Sequence, residues 1–170
     1  MPHPLINQLR FTRSELKRAL LGLSDVDARR HVLPMNCISW TIGHLAWQEQ
    51  AYWLTGMQGH TPLPHLDALV GSGQPACTPP LSEMWKAWQT VTELADPFLD
   101  TLTTAQLQET GCTGDDEEPT PSTAGSLLLR VIYHYWYHTG EILAIRQLLG
   151  HTDLAEFVGD LDTQAPYLPH

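Results

Sequence analysis

The chain has 170 residues, 42% of them apolar, with 19 acidic against 9 basic side chains and a formal net charge of -10. That length and apolar content predict one domain, residues 1–170, with a buried core, and exclude a disordered chain. The acidic balance, with no basic patch to offset it, excludes nucleic acid and anionic membrane surfaces as partners.

The opening Met1-Pro2-His3-Pro4 has neither the basic nor the apolar stretch of a secretory leader. Cys37, Cys77 and Cys112 are scattered and form no CxxC pair. Together these features predict a cytoplasmic protein with free thiols. Leu5, Leu9, Leu16, Leu20 and Leu23 recur at helical spacing and predict a first helix over about residues 4–22. Pro34 breaks the chain and Asn36 is a good N-cap, so a second helix is expected over 37–55, stopped by Gly56 and Gly59. Residues 57–80 are rich in Gly, Pro, Ser and Thr and read as a long loop ordered by packing. Ser82 can cap a third helix of about 82–102, with Pro97 expected to kink or shorten it. Residues 110–122 read as an acidic, solvated connector around Asp115, Asp116, Glu117 and Glu118, without the alternating oxygen spacing of a calcium loop. Thr123 can cap a fourth helix that runs to about Leu149 and ends at Gly150, followed by a short turn near 153–158 and an irregular tail. Four long helices and no strand pattern predict an all-α bundle, and loops this long imply that a connection crosses its end or side.

The chemistry concentrates on the second and fourth helices. On a helical wheel with Leu127 at zero, Val131 and Leu149 fall at about 40° and Ile142 at about 60°. His138 falls at about 20° and His134 at about 340°, which predicts two imidazoles in the middle of the apolar stripe, one turn apart. Two unpaired imidazoles buried side by side are costly, and a divalent metal resolves the cost because neutral imidazole is its common ligand. His44 is the third candidate, amid Trp40, Leu45, Trp47 and Ala51, on a face that also carries Cys37, Thr41 and Gln48. A polar strip inside an apolar helix suggests a pocket. Glu141, three residues beyond His138, is placed to orient a histidine or act as a base, and Gln48 to orient an incoming group.

Plainer roles exist for each residue. The histidine pair can bond to backbone or to nearby tyrosines, Glu141 can pair with Arg146 or Arg130, and Cys37 can be a small buried hydrophobe. A zincin-type protease is excluded as a reading, because Tyr135, Trp136 and Tyr137 stand between the histidines where HEXXH needs its glutamate.

Two stretches carry a family resemblance. Ser39-Trp40-Thr41-Ile42-Gly43-His44-Leu45-Ala46-Trp47 resembles the second-helix signature of the DinB/YfiT superfamily of metal-binding four-helix bundles. His134-Tyr135-Trp136-Tyr137-His138-Thr139-Gly140-Glu141-Ile142, followed by Arg146 and Leu149-Gly150, resembles its fourth-helix signature. The family often has His or Arg around Tyr137 or Thr139, so this chain keeps the ligand positions and departs beside them. The resemblance implies a DinB-like bundle in up-up-down-down order with a long crossover, often a homodimer. It implies His44, His134 and His138 as ligands of zinc or nickel, with iron or manganese as alternatives, and open positions for water or substrate. It also implies a thiol S-transferase or isomerase that acts on a small molecule with a thiol such as mycothiol, bacillithiol or glutathione. Metal-assisted hydrolysis, or non-catalytic capture of a metal or small molecule, are the alternative readings. An open coordination position favours an enzyme, and Cys37 or Glu141 would close it.

The far face of the fourth helix predicts pairing. Leu129, Tyr133, Tyr137, Gly140 and Ala144 lie at about 200–280° on the same wheel, where a surface helix should be charged. Either the 57–80 loop covers this face, or a second copy does, with Tyr133, Tyr137 and Ala144 near a two-fold axis.

Overall fold

The computed structural model describes residues 2–112 and 122–168. The acidic run Asp115–Glu118 of the expected connector lies outside the described residues. Helix α1, Pro4–Ala19, starts with Pro4 at its first position and with the His3 ring accepting the Leu5 N–H. It ends three residues short of the expected boundary, because Gly22 turns the chain with a positive φ of 72°. A one-turn helix α2, Asp25–Ala28, is capped by Ser24.

Helix α3, Ile38–Glu49, is buried on every side. Its N-cap is Cys37 rather than the expected Asn36, and no side chain caps it. It continues as a π-helical turn, Gln50–Gly56. Gly43 marks a close approach of α3 to the next long helix, since a Cβ there would collide with Met84. The expected loop 57–80 contains a short helix α4, His65–Val70, which packs on α3. Gln50 clips this segment down from both sides: its Nε2 donates to the Leu63 carbonyl at 3.0 Å, and its Oε1 accepts the Leu63 N–H at 2.8 Å.

Helix α5, Leu81–Leu99, follows Pro80, so Ser82 is not its cap. It ends two residues after Pro97, earlier than expected, since proline removes a backbone donor and crowds the preceding turn. Helix α6, Thr104–Gln108, opens with a capping box between Thr103 and Gln106. Two short antiparallel strands that the sequence pattern did not reveal, β1 Thr110–Cys112 and β2 Ser122–Thr123, flank the undescribed connector. Helix α7, Ala124–Leu148, is capped by Thr123 as expected, and a last turn, α8 Leu161–Gln164, lies in the tail.

The long helices α1, α3, α5 and α7 form a helical bundle in which α3 packs on α5 and α7, and α1 on α7. One buried polar network ties all four. Arg13 of α1 grips Glu49 of α3, with Nε 2.8 Å from Oε1 and a second bond from Nη2 to Oε2, while its Nη1 is 2.7 Å from Asp96 of α5. Tyr135 of α7 donates to the same Glu49 Oε1 and accepts from Trp88 Nε1 of α5 at 2.6 Å. Burial opposes the charge on Arg13, but Glu49 and Asp96 more than offset it and hold the guanidinium protonated. Burial, and then the Glu49 charge, push the Tyr135 hydroxyl well up, so it stays a neutral donor. No helix among the described residues is long and apolar enough to cross a membrane.

Candidate metal centre

Helices α3 and α7 bring His44, His134 and His138 together. The candidate ligand atoms of the three imidazoles all lie within 4.8 Å of one another. Their place on α7 differs from the expected mid-stripe position. Leu128, Ile132, Tyr135, Thr139 and Arg146 are buried as well as Leu127, Ile142 and Ile145, so the buried arc runs from about 0° to about 140°. The histidines therefore sit at its edge, with His138 buried and His134 half-buried. The arc is one-sided because Leu128 and Ile132, at about 100° and 140°, are buried together with polar Thr139 and Arg146.

Each ring is aimed by a different device. A carbonyl only accepts, so His44 Nδ1 carries the proton that it donates to Val70 O at 2.7 Å, at the end of α4. Its Nε2 is thereby left for the cluster. The His44 ring is sandwiched between Trp40, with centroids 4.7 Å apart, and Trp47, at 5.2 Å, both nearly parallel to it. Trp47 Nε1 in turn donates to Asp67 Oδ1 of α4 at 3.0 Å. His138 Nδ1 donates to Glu141 Oε2 at 2.6 Å, and its Nε2 meets His134 Nε2 at 2.8 Å. His134 Nδ1 is buried and has no partner among the described residues.

Electrostatics keep all three rings neutral. Burial, followed by the neighbouring imidazoles, pulls the pKa of His134 and His138 down to about 3. Burial also lowers that of His44, against the pull of its bond to Val70. Three neutral imidazoles converging with Nε2 lone pairs, two of them fixed through Nδ1, fit a divalent metal ion.

Among the described residues no carboxylate or thiolate completes the cluster. Glu141 serves His138 and, through a hydrogen bond, raises the Tyr137 hydroxyl; it does not pair with Arg130 or Arg146. Cys37 is buried, with its Sγ 3.4 Å from the Cys77 carbonyl and 3.6 Å from Ser39 Oγ, so it does not close the site. Gln48 is buried one turn beyond His44, and its Oε1 has no partner among the described residues.

Asp67, the Val70 carbonyl and the tryptophan sandwich were not anticipated. The sandwich was legible, since Trp40 and Trp47 stand four before and three after His44. A backbone carbonyl in a short helix leaves no signal in sequence.

The sequence profile of the DinB superfamily matches residues 8–142, a span that includes all three histidines and Glu141. The chain belongs to the DinB superfamily. No curated protein matches it. The DinB-superfamily assignment agrees with the helical bundle, and the histidine trio can hold a metal ion in this member.

Proposed function

We propose that the protein is a metal-dependent enzyme of the thiol S-transferase type, taking a low-molecular-weight thiol and a second small molecule as substrates. The observation that carries this reading is a cluster of three neutral histidines, with no fourth protein ligand among the described residues, at the edge of the buried stripe of α7. Structural zinc sites are usually closed by four protein ligands, whereas catalytic sites keep a position open. Zinc or nickel, bound by His44, His134 and His138, would supply a Lewis acid that favours a thiolate at neutral pH. Glu141 holds His138 in the tautomer that offers Nε2 and, being partly exposed, would take a proton from an incoming thiol. Gln48 offers a buried amide oxygen, without a partner among the described residues, to orient a substrate N–H or O–H. Trp40 and Trp47 keep His44 from turning out of the cluster.

The test is cobalt substitution. The purified protein should take up about one ion per chain, and a thiol should add a sulfur-to-cobalt charge-transfer band that His134→Ala and His138→Ala both abolish. Undiminished metal content in those two variants would sink the ligand assignment. Absence of the band with several thiols, together with metal-dependent hydrolysis of a simple ester, would replace the transferase with a hydrolase.

Pairing of two copies through α7 is part of the same proposal. Helix α4 of the 57–80 segment packs on α3, and Leu148, one turn beyond Ala144 on α7, stands 66% exposed. A Cβ on Gly140 would meet nothing, so another helix can approach there. The contact is placed around Gly140 and Ala144. Sedimentation equilibrium should give a dimer that Ala144→Glu dissociates, and a wild type that is monomeric at tens of micromolar would end the idea.

A further inference from the structure

Beside the histidine cluster, the outer side of α7 carries a shallow depression of about 540 Å³ lined by Ser126, Leu129, Arg130, Tyr133, His134 and Tyr137. His134 thus belongs both to the candidate metal centre and to a surface hollow, so the hollow borders the cluster. Arg130 stands one helical turn before His134, a rise of about 6 Å along the axis. Arg10, Arg13, Arg18 and Arg29 are all engaged in ion pairs, whereas Arg130 has none among the described residues. On the opposite side of the histidines, Glu141 is bound to His138. The approach along α7 is therefore polar in the electrical sense, with a cation before the ligands and a carboxylate after them. Tyr133 and Tyr137 stand largely exposed between these ends and offer aromatic faces to the body of a bound molecule.

We propose that Arg130 is a specificity residue that reads a carboxylate on the small molecule bound at the histidine cluster. The inference rests on the metal-centre reading above and extends it to a substrate class: a metal-binding donor atom with an acid group a few bonds away. Guanidinium matches a carboxylate bidentately, and in a chain of net charge -10 a free cation beside the site opposes the repulsion that would otherwise exclude an anion. Glu141 repels the same group, so the acid end is directed toward Arg130 and the donor atom toward His134 and His138. The arginine is solvent-facing, so the selectivity it confers is modest, about fivefold.

The experiment uses the cobalt-loaded full-length protein and follows its visible spectrum during titration. One probe pair is 3-mercaptopropionate against 2-mercaptoethanol, and the other is imidazole-4-acetate against imidazole. In each pair the acid should bind about fivefold more tightly than its neutral partner. Arg130→Gln should erase that preference without changing cobalt content or the affinity for the neutral probes, and Arg130→Lys should retain part of it. If neither thiol binds but the imidazole pair shows the preference and its loss, the thiol reading fails and the role of Arg130 stands. Equal binding of acid and neutral probes in the wild type, or a preference that survives Arg130→Gln, overturns the proposal. A protein that takes up no cobalt overturns both.

Discussion

Helices α3 and α7 face each other through two polar clusters that are neighbours in sequence and opposite in construction. Glu49 lies five residues beyond His44, and Tyr135 directly follows His134. The Glu49 network is closed among its own members: Arg13, Tyr135, Trp88 and Asp96 share bonds that compensate each charge. Around His44 the groups are neutral and incompletely bonded: Trp40 Nε1, Gln48 Oε1 and His134 Nδ1 are buried with no partner among the described residues. A polar cluster that satisfies itself fixes how helices meet, while one with donors and acceptors to spare is shaped for something that comes from outside.

The contrast is tested most severely by Glu49→Ala. It leaves the buried Arg13 with Asp96, a half-exposed carboxylate, in place of its buried bidentate partner and should cost about 3–5 kcal/mol in urea unfolding, while the folded fraction still takes up metal. A cost below about 1 kcal/mol would mean that the network does not hold the bundle. The histidine cluster should behave in the opposite way. Saturating zinc or nickel at about a hundred times its dissociation constant should raise wild-type stability by about 2.7 kcal/mol, an increment absent from His134→Ala. Glu141→Ala should weaken metal binding about 10–100-fold by releasing the His138 ring, with little change in stability without metal.

The last expected effect is one of pH. His134 and His138 titrate at about 3 in the folded protein but near 6.5 in an unfolded chain. Between those values the unfolded state binds more protons, so stability rises with pH. The two rings cost nothing above about 6.5, and the metal-free protein should lose stability as pH falls from there toward about 3. The double variant His134→Ala, His138→Ala should show a shallower slope over the same window, and an unchanged slope would place the titrating groups elsewhere.

Much of this was legible in the sequence, for stated reasons. The long helices announce themselves through the leucine spacing of α1 and the cap of α7 at Thr123. The three histidines follow from periodicity together with the family resemblance. Their depth was misjudged because the stripe was centred on Leu127, whereas Leu128 and Ile132 are buried as well, along with polar Thr139 and Arg146. Helix α4 was invisible: His65–Val70 is short, and a few residues carry too little pattern to separate helix from loop. The Glu49 network was equally hidden, since nothing local says that Arg13 and Glu49, from different helices, will meet.

Helix α4 has one more consequence. Because the Val70 carbonyl holds the proton of His44, and Asp67 holds Trp47, part of the coordination environment is leased from a segment outside the long helices. Whenever residues 63–71 lift away, His44 loses the acceptor for its Nδ1 proton and Trp47 loses its anchor, and an ion bound through His44 Nε2 opposes that lifting. Backbone amides of α4 should therefore exchange with deuterated solvent more slowly when zinc or nickel is bound than when it is chelated away, although none of them touches the ion. The clock on a peripheral turn would then report occupancy at the centre.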